Sequence, residues 1–229
     1  MATLTWHGHS CFTLETDEGT RILFDPWLDE NPAADIRSDD IERLDYILVS
    51  HGHFDHFADG VKLAKRTGAT VVATFELVSF AQENGAENGH GMNIGGAYRF
   101  PFGTVKLTPA VHTGSVVGDD AGAYTTDPAG FLLTLNGGQR LYFAGDTALI
   151  VDMQLLNGQV DIALLPIGDN FTMGPEDAVR AVDFIGPRTV IPMHYNTFDV
   201  IEQDPEEFRR LVGDRAEVVV LEPGGTFEF

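Results

Sequence analysis

Apolar and polar positions fall in short blocks along most of the chain. Thr3-Leu4-Thr5-Trp6, Cys11-Phe12-Thr13-Leu14 and Arg21-Ile22-Leu23-Phe24 read as short strands, with Gly19 in the turn between the second and third. Asp25-Pro26-Trp27 ends this pattern, because proline cannot continue a strand ladder. An acidic loop follows from Asp29 to Asp40. Tyr46-Ile47-Leu48-Val49-Ser50 is a short apolar run, the mark of a strand buried on both faces. Asp59 to Arg66 and Phe75 to Glu83 have helical character, the second broken by Gly85 or Gly89. Further strands are expected at Thr70–Ala73, Val105–Thr108, Gly130–Leu135, Gln139–Phe143, Asp161–Pro166, Thr189–Met193 and Glu217–Leu221. Asn136-Gly137-Gly138 supplies a hairpin turn. Pro175-Glu176-Asp177 opens a helix to about Ile185, with proline and acids where a helix N-terminus favours them, and Glu206–Val212 is a short helix. Strands and strand–helix units interleave in two successive halves. Layer rules then favour an α/β architecture of two sheets face to face with helices outside. No linker divides residues 1–229, which are expected to form a single domain.

Composition adds limits. A chain of 229 residues is long enough for a large core. There is no internal repeat of fixed period, and no run is apolar for long enough to span a membrane. The N-terminus lacks the basic and apolar regions of a signal peptide. The single cysteine, Cys11, excludes a disulfide framework and a cysteine-rich zinc module. A cytoplasmic protein is the expectation. The net charge of −21 repels nucleic acid and anionic membranes, so neither is expected as a partner. An acidic surface adapted to high salt and an ordinary acidic enzyme both fit that charge. Oligomerisation into a homo-oligomer is open.

The chemistry concentrates in His51-Gly52-His53-Phe54-Asp55-His56, directly after a buried strand. Alternate residues at a strand end, such as His51 and His53, face the same way. A tight turn at Gly52 lets Asp55 and His56 reach the same cavity from the next helix. Imidazole and carboxylate are ligands for zinc and also suit manganese or iron. Three further polar residues each follow an apolar run: His112, Asp146 and His194. Seven N/O donors exceed what one tetrahedral zinc with an open position takes. They suit two divalent metal ions about 3.5–4 Å apart sharing a hydroxide.

The ensemble His-x-His-x-Asp-His, a distant His, Gly145-Asp146-Thr147 and a late His resembles the metallo-β-lactamase superfamily from about residue 3 to 227. Gly8-His9-Ser10, Asp25-Pro26-Trp27, Leu165-Pro166-Ile167-Gly168, Asn170-Phe171-Thr172-Met173-Gly174-Pro175 and Pro192-Met193-His194-Tyr195-Asn196 are similar to a single-domain branch of metal-dependent hydrolases related to ascorbate-6-phosphate lactonase. The resemblance implies a four-layer αββα sandwich, the metallo-β-lactamase fold. It implies one metal on His51, His53 and His112, a second on Asp55, His56 and His194, and Asp146 bridging both. Asp55 would also orient the nucleophile or accept its proton. His9 would polarise substrate, hold a ligand or add one. Asp25 would bind the second nitrogen of a ligating histidine. Tyr195 and Asn196 would touch substrate, whereas His7 and His90 read as surface residues. Asp169 stands where this branch is expected to carry a small residue, and places an acid at the pocket rim.

Sister activities are argued down. A true β-lactamase lacks the bridging carboxylate, a flavodiiron protein has Glu where His53 stands, a glyoxalase II adds a helical domain, and a nuclease needs an insertion and a basic groove. The expected activity is a metal-bridging hydroxide acting on a small ester, lactone or phosphoester; the alternative is a metal-binding regulatory or scaffold protein without turnover. Specificity is expected from loops 29–40, 84–96 and 113–127.

Overall fold

The computed structural model describes residues 1–118 and 121–229. The first part of the chain runs β1 (Thr3–Trp6), β2 (Phe12–Glu15), β3 (Arg21–Phe24), β4 (Tyr46–Leu48), α1 (Phe54–Phe57), α2 (Gly60–Thr67), β5 (Thr70–Thr74), α3 (Phe75–Glu83) and β6 (Gly89–Met92). The remainder runs β7 (Ala97–Phe100), β8 (Gly103–Pro109), β9 (Ser115–Gly118), β10 (Ala121–Thr125), β11 (Ala129–Leu135), β12 (Arg140–Phe143), β13 (Ile162–Pro166), α4 (Pro175–Ile185), β14 (Thr189–Met193), α5 (Pro205–Val212), β15 (Glu217–Val218) and β16 (Thr226–Glu228).

Two seven-stranded sheets result, in the orders β16-β1-β2-β3-β4-β5-β6 and β15-β14-β13-β12-β11-β8-β7, with β9 and β10 as a separate hairpin. Each large sheet is mixed. Strands β3 to β6 run parallel, as do β12 to β15, and the other neighbours are antiparallel.

The two-residue period of a strand decides which side chain enters which layer. In β3, Ile22 and Phe24 face the second sheet and share a core with Phe131 and Phe143. Leu23 between them faces outward and packs with Leu63 of α2 and Leu77 of α3. The Phe24 and Phe143 rings stack across the sandwich with centroids 5.0 Å apart. On the far side, α4 and α5 bury Ala178, Ala181, Val182, Phe208 and Val212 against the second sheet. The layers are therefore helix, sheet, sheet, helix, as expected.

Helix α4 begins at Pro175 with Glu176 and Asp177 in its first turn, and ends on the left-handed Gly186. In α5 the Asp204 side chain accepts from the Glu206 N–H, so the helix starts one residue earlier than its pattern suggests, at Pro205.

The elements absent from the sequence expectation are β6, β7, β9, β10 and β16. Strands β7 and β16 are mostly exposed edges with no buried alternation to read. Strand β6 occupies part of the expected 84–96 loop, and its glycines read as breakers. They stand there because α3 lies on them: a Cβ at Gly91 would sit 2.9 Å from the Phe75 ring. The β9–β10 hairpin replaces most of the expected 113–127 loop, of which residues 119 and 120 lie outside the described residues. Strand β15 stops at Val218, short of the expected Leu221. Among the described residues, no helix is long and apolar enough to cross a membrane.

Candidate metal centre

All the chemistry-bearing segments leave the C-terminal ends of strands along one rim of the sandwich, where open α/β sheets gather their sites. Asp25 follows β3, and His51 to His56 follow β4. His112, Asp146 and His194 follow β8, β12 and β14 of the other sheet. Helix α1 starts at Phe54 with His53 as its extended cap, which turns Asp55 and His56 inward from the first turn.

Two groups of donors form. His51 Nε2 lies 3.0 Å from His53 Nδ1, and His112 Nε2 lies 3.3 Å from the same atom. Asp55, His56, His194 and His9 form the second group, with Asp55 Oδ2 at 3.3 Å from His9 Nε2, 3.8 Å from His56 Nε2 and 4.0 Å from His194 Nε2. Asp146 stands between them. Its Oδ2 lies 2.9 Å from His194 Nε2, 3.3 Å from His56 Nε2, 3.5 Å from His112 Nε2 and 4.0 Å from His51 Nε2.

This donor set fits a metal. Three ring nitrogens face one another at hydrogen-bond distance in the first group, and a neutral imidazole carries only one N–H. In the second, His56 Nε2, His194 Nε2, His9 Nε2 and Asp146 Oδ1 are buried with no hydrogen-bond partner. Buried polar atoms without partners are costly, and several converging on one point are what a cation would satisfy.

Asp25 ties the groups together from behind. It is fully buried. Its Oδ1 accepts from the Ser50 N–H at 2.7 Å, and its Oδ2 lies 2.6 Å from Ser50 Oγ and 2.7 Å from His56 Nδ1. Ser50 Oγ is also 2.9 Å from His51 Nδ1. An ionised Asp25 only accepts, so His56 Nδ1–H donates to it directly. His51 Nδ1–H donates to it through the Ser50 hydroxyl. Both rings then present a bare Nε2 lone pair to the centre.

The field of the centre is uneven. Burial disfavours the charged His56 ring, but Asp146, Asp55 and Asp25 outweigh it and hold its pKa well above the ordinary value. Burial pushes His51 well down, with His56 adding to it. His9 is pushed down to about 3, by burial first and His194 next. Burial opposes ionisation of Asp146, yet His194 and His56 hold its carboxyl well below the usual range. Burial likewise opposes ionisation of Asp55, and His56 with His9 hold that carboxyl low. Burial dominates at Asp25 and raises it.

The centre opens into a cavity of ≈ 590 Å³. His53, Asp55, His112, Asp146 and His194 form its polar part, and Phe54, Phe171, Phe198 and Val200 stand around them. His51, His56 and His9 are buried behind this surface.

Not every expected residue is brought to it. Tyr195 stacks on Trp6 with ring centroids 5.5 Å apart and lies in the core. Asn196 is exposed and accepts from the Gln203 N–H, away from the cavity. His7 is not a surface residue: it is buried, 2.8 Å from both Asp35 Oδ1 and Thr13 Oγ1. His90 is half-buried, its ring 4.1 Å from that of Tyr98. Asp169 has φ +61°, the conformation that explains the expected small residue there. Its side chain is exposed, with Oδ1 accepting from the Asn170 N–H. The 29–40 loop folds onto α2 through Asp29 and Lys62, 2.9 Å apart, and supplies no wall of the cavity.

Two contacts have no counterpart in the sequence reading. Ser50 relays His51 to Asp25, and the Thr197 hydroxyl lies 2.6 Å from His9 Nδ1. Neither residue type is unusual after an apolar run, so nothing local marks them.

Known proteins resemble this chain along nearly its whole length. The β-lactamase superfamily domain matches residues 20–195. A UPF0173 metal-dependent hydrolase of Heliobacterium modesticaldum is 48% identical over 234 residues, covering 99% of this chain and 97% of that one. One from Enterococcus faecalis is 45% identical over 226 residues, covering 97% and 98%. Among solved structures, Igni18, a metallo hydrolase from Ignicoccus hospitalis, superposes with a TM-score of 0.88 at 36% identity, covering 100% of this chain and 99% of that one.

Proposed function

Because this chain belongs to the β-lactamase superfamily and, within it, to the UPF0173 metal-dependent hydrolases, we propose that it hydrolyses a small ester, lactone or phosphoester at a centre of two divalent metal ions. Zinc is the first choice for His and Asp donors, and manganese and iron suit them too. His51, His53 and His112 would hold one ion and Asp55, His56 and His194 the other, with Asp146 available to both. When bound, the pair makes water acidic enough to act as a nucleophile near neutral pH and stabilises charge developing on the attacked oxygen.

The chain's own residues do the rest. Asp25 and Ser50 fix the tautomers of His56 and His51. Asp55, at the cavity surface, would orient the attacking water. His9 Nε2 stands 3.3 Å from Asp55 Oδ2 with no hydrogen bond made, and His9 Nδ1 lies 2.6 Å from the Thr197 hydroxyl, which holds the ring in place.

The observation that carries this reading is the single Asp146 oxygen within 4.0 Å of ring nitrogens from four histidines. Asp146→Ala should lower bound metal by about one equivalent per chain and cut kcat/KM at least ~10³-fold, a loss of several kcal/mol of transition-state stabilisation. Elemental analysis and steady-state kinetics measure both. Hydrolysis that survives full metal loss would sink the proposal. A loaded site with no turnover across esters, lactones and phosphodiesters would favour a binding protein instead.

A further inference from the structure

We propose that the substrate is uncharged and carries an aromatic or branched apolar group, and that the Phe54–Phe198 wall of the cavity receives it. This rests on the hydrolase reading of the same site. The argument begins with exposure. Phe54 is 56% exposed, Phe171 51% and Val200 59%, and all three line this one cavity. Scattered exposed apolar residues need no explanation, but several gathered around a polar centre do.

Each aromatic residue comes from a different segment. Phe54 sits between His53 and Asp55, Phe171 lies beyond β13, and Phe198 lies four residues after His194. The wall is backed by a fixed ring: Trp27, 2% exposed, packs on Phe198 with centroids 5.6 Å apart and on Phe54 at 5.8 Å. Phe54 and Phe198 meet edge to face at 6.3 Å. Such a wall offers apolar area that is already in position when a ligand arrives.

Charge decides against an anionic substituent. Among the described residues, no Lys or Arg lines the cavity. A phosphate or second carboxylate on the substrate would find no guanidinium or ammonium beyond the centre itself, where such groups supply most recognition of anions.

Three methyl esters with the same leaving group separate these cases: methyl acetate, methyl phenylacetate and methyl phosphonoacetate. In each, water oxygen bonds to the acyl carbon, the acyl C–O bond breaks, and methanol leaves with a proton. The new carboxylic acid releases its proton, which a pH-stat counts. The metal-loaded protein should hydrolyse the phenylacetyl ester with kcat/KM at least ~10-fold above the acetyl ester, the scale on which apolar pockets discriminate. The phosphonoacetyl ester should fall below both. In Phe54→Ser and in Phe198→Leu, each checked for folding by circular dichroism, the phenylacetyl-to-acetyl ratio should drop to within ~3-fold.

Tryptophan fluorescence reads the wall without turnover. Phenylacetamide should shift the tryptophan signal saturably in both metal-loaded and chelator-treated protein, acetamide should not, and Phe198→Leu should weaken the response. Equal or faster hydrolysis of the phosphonoacetyl ester overturns the proposal. So does an unchanged ratio in folded variants, or fluorescence that ignores phenylacetamide. If no ester is hydrolysed but phenylacetamide still titrates the tryptophan signal, ester hydrolysis fails as the reading of this site while the apolar subsite stands.

Discussion

Asp25 shows how much one carboxylate does behind the candidate donors. It accepts from a backbone N–H, a hydroxyl and an imidazole, and through them sets the ring tautomers of a histidine in each donor group. Its φ of +41° is uncommon for a residue with a side chain, as are +54° at His9 and +55° at His194. Such conformations cost on the order of 1–3 kcal/mol each and persist where the surroundings enforce them. Here they place His9 and His194 in one donor group and Asp25 behind both groups. Asp25→Asn replaces one acceptor oxygen by an NH2 group, which would face either His56 Nδ1–H or the Ser50 donors. Metal affinity should fall 10–100-fold, roughly the cost of losing such a supporting partner. Competition with a chromophoric chelator measures this; unchanged affinity would show that Asp25 does not set the ligands.

Strand ends carry the site, and this is the level at which most of it was legible. The apolar runs of β4, β8, β12 and β14 each stop before a His or Asp, so the donors could be picked from the linear pattern. His51 to His56 was the plainest because its donors share one short segment. The reading failed where neighbours in sequence part in space. Tyr195 follows His194 directly, but the strand has ended and the backbone turns at His194, whose φ is +55°, so Tyr195 ends on Trp6 in the core. Phe198 and Thr197, a little further on, are the ones that return to the site. The edge strands were missed for a different reason: an exposed strand buries no alternating face. Close packing between elements gives a further test. A Cβ at Gly168, after β13, would overlap the backbone oxygen of His194 and lie 3.1 Å from Ile201. Gly168→Ala should therefore displace the loop after β14, lowering stability by about 1–3 kcal/mol and weakening metal retention. Thermal unfolding and elemental analysis would show it; a variant with wild-type Tm and metal content would mean the backbone yields there without consequence.

At the scale of the molecule, the histidines make the metal-free protein sensitive to acid. His9, His51, His53 and His112 are all shifted down, chiefly by burial, and only His56 is shifted up. A group depressed in the fold takes up its proton in the unfolded chain first, so these four favour unfolding as pH drops through about 6.5, the free value. His56 acts oppositely: its contribution is complete below that pH and is lost as pH rises through its elevated folded value. Four outweigh one, so urea midpoints of the chelator-treated protein should fall between about pH 7 and pH 5. A flat or rising midpoint over that window would contradict the arrangement of charges described here. Metal retention should fail in the same direction, since protons compete for the same nitrogens.

The candidate donors are also divided between the two sheets. Asp25 and the His51–His56 segment belong to the first, while His112, Asp146 and His194 belong to the second. Neither half of the chain possesses the centre alone, because the carboxylate between the donor groups comes from one half and two of the four rings within 4.0 Å of it come from the other. During synthesis the first half emerges with a histidine cluster that lacks its connecting oxygen. The complete set of donors comes into being only when the second sheet has docked on the first, which makes metal capture a record that assembly is finished.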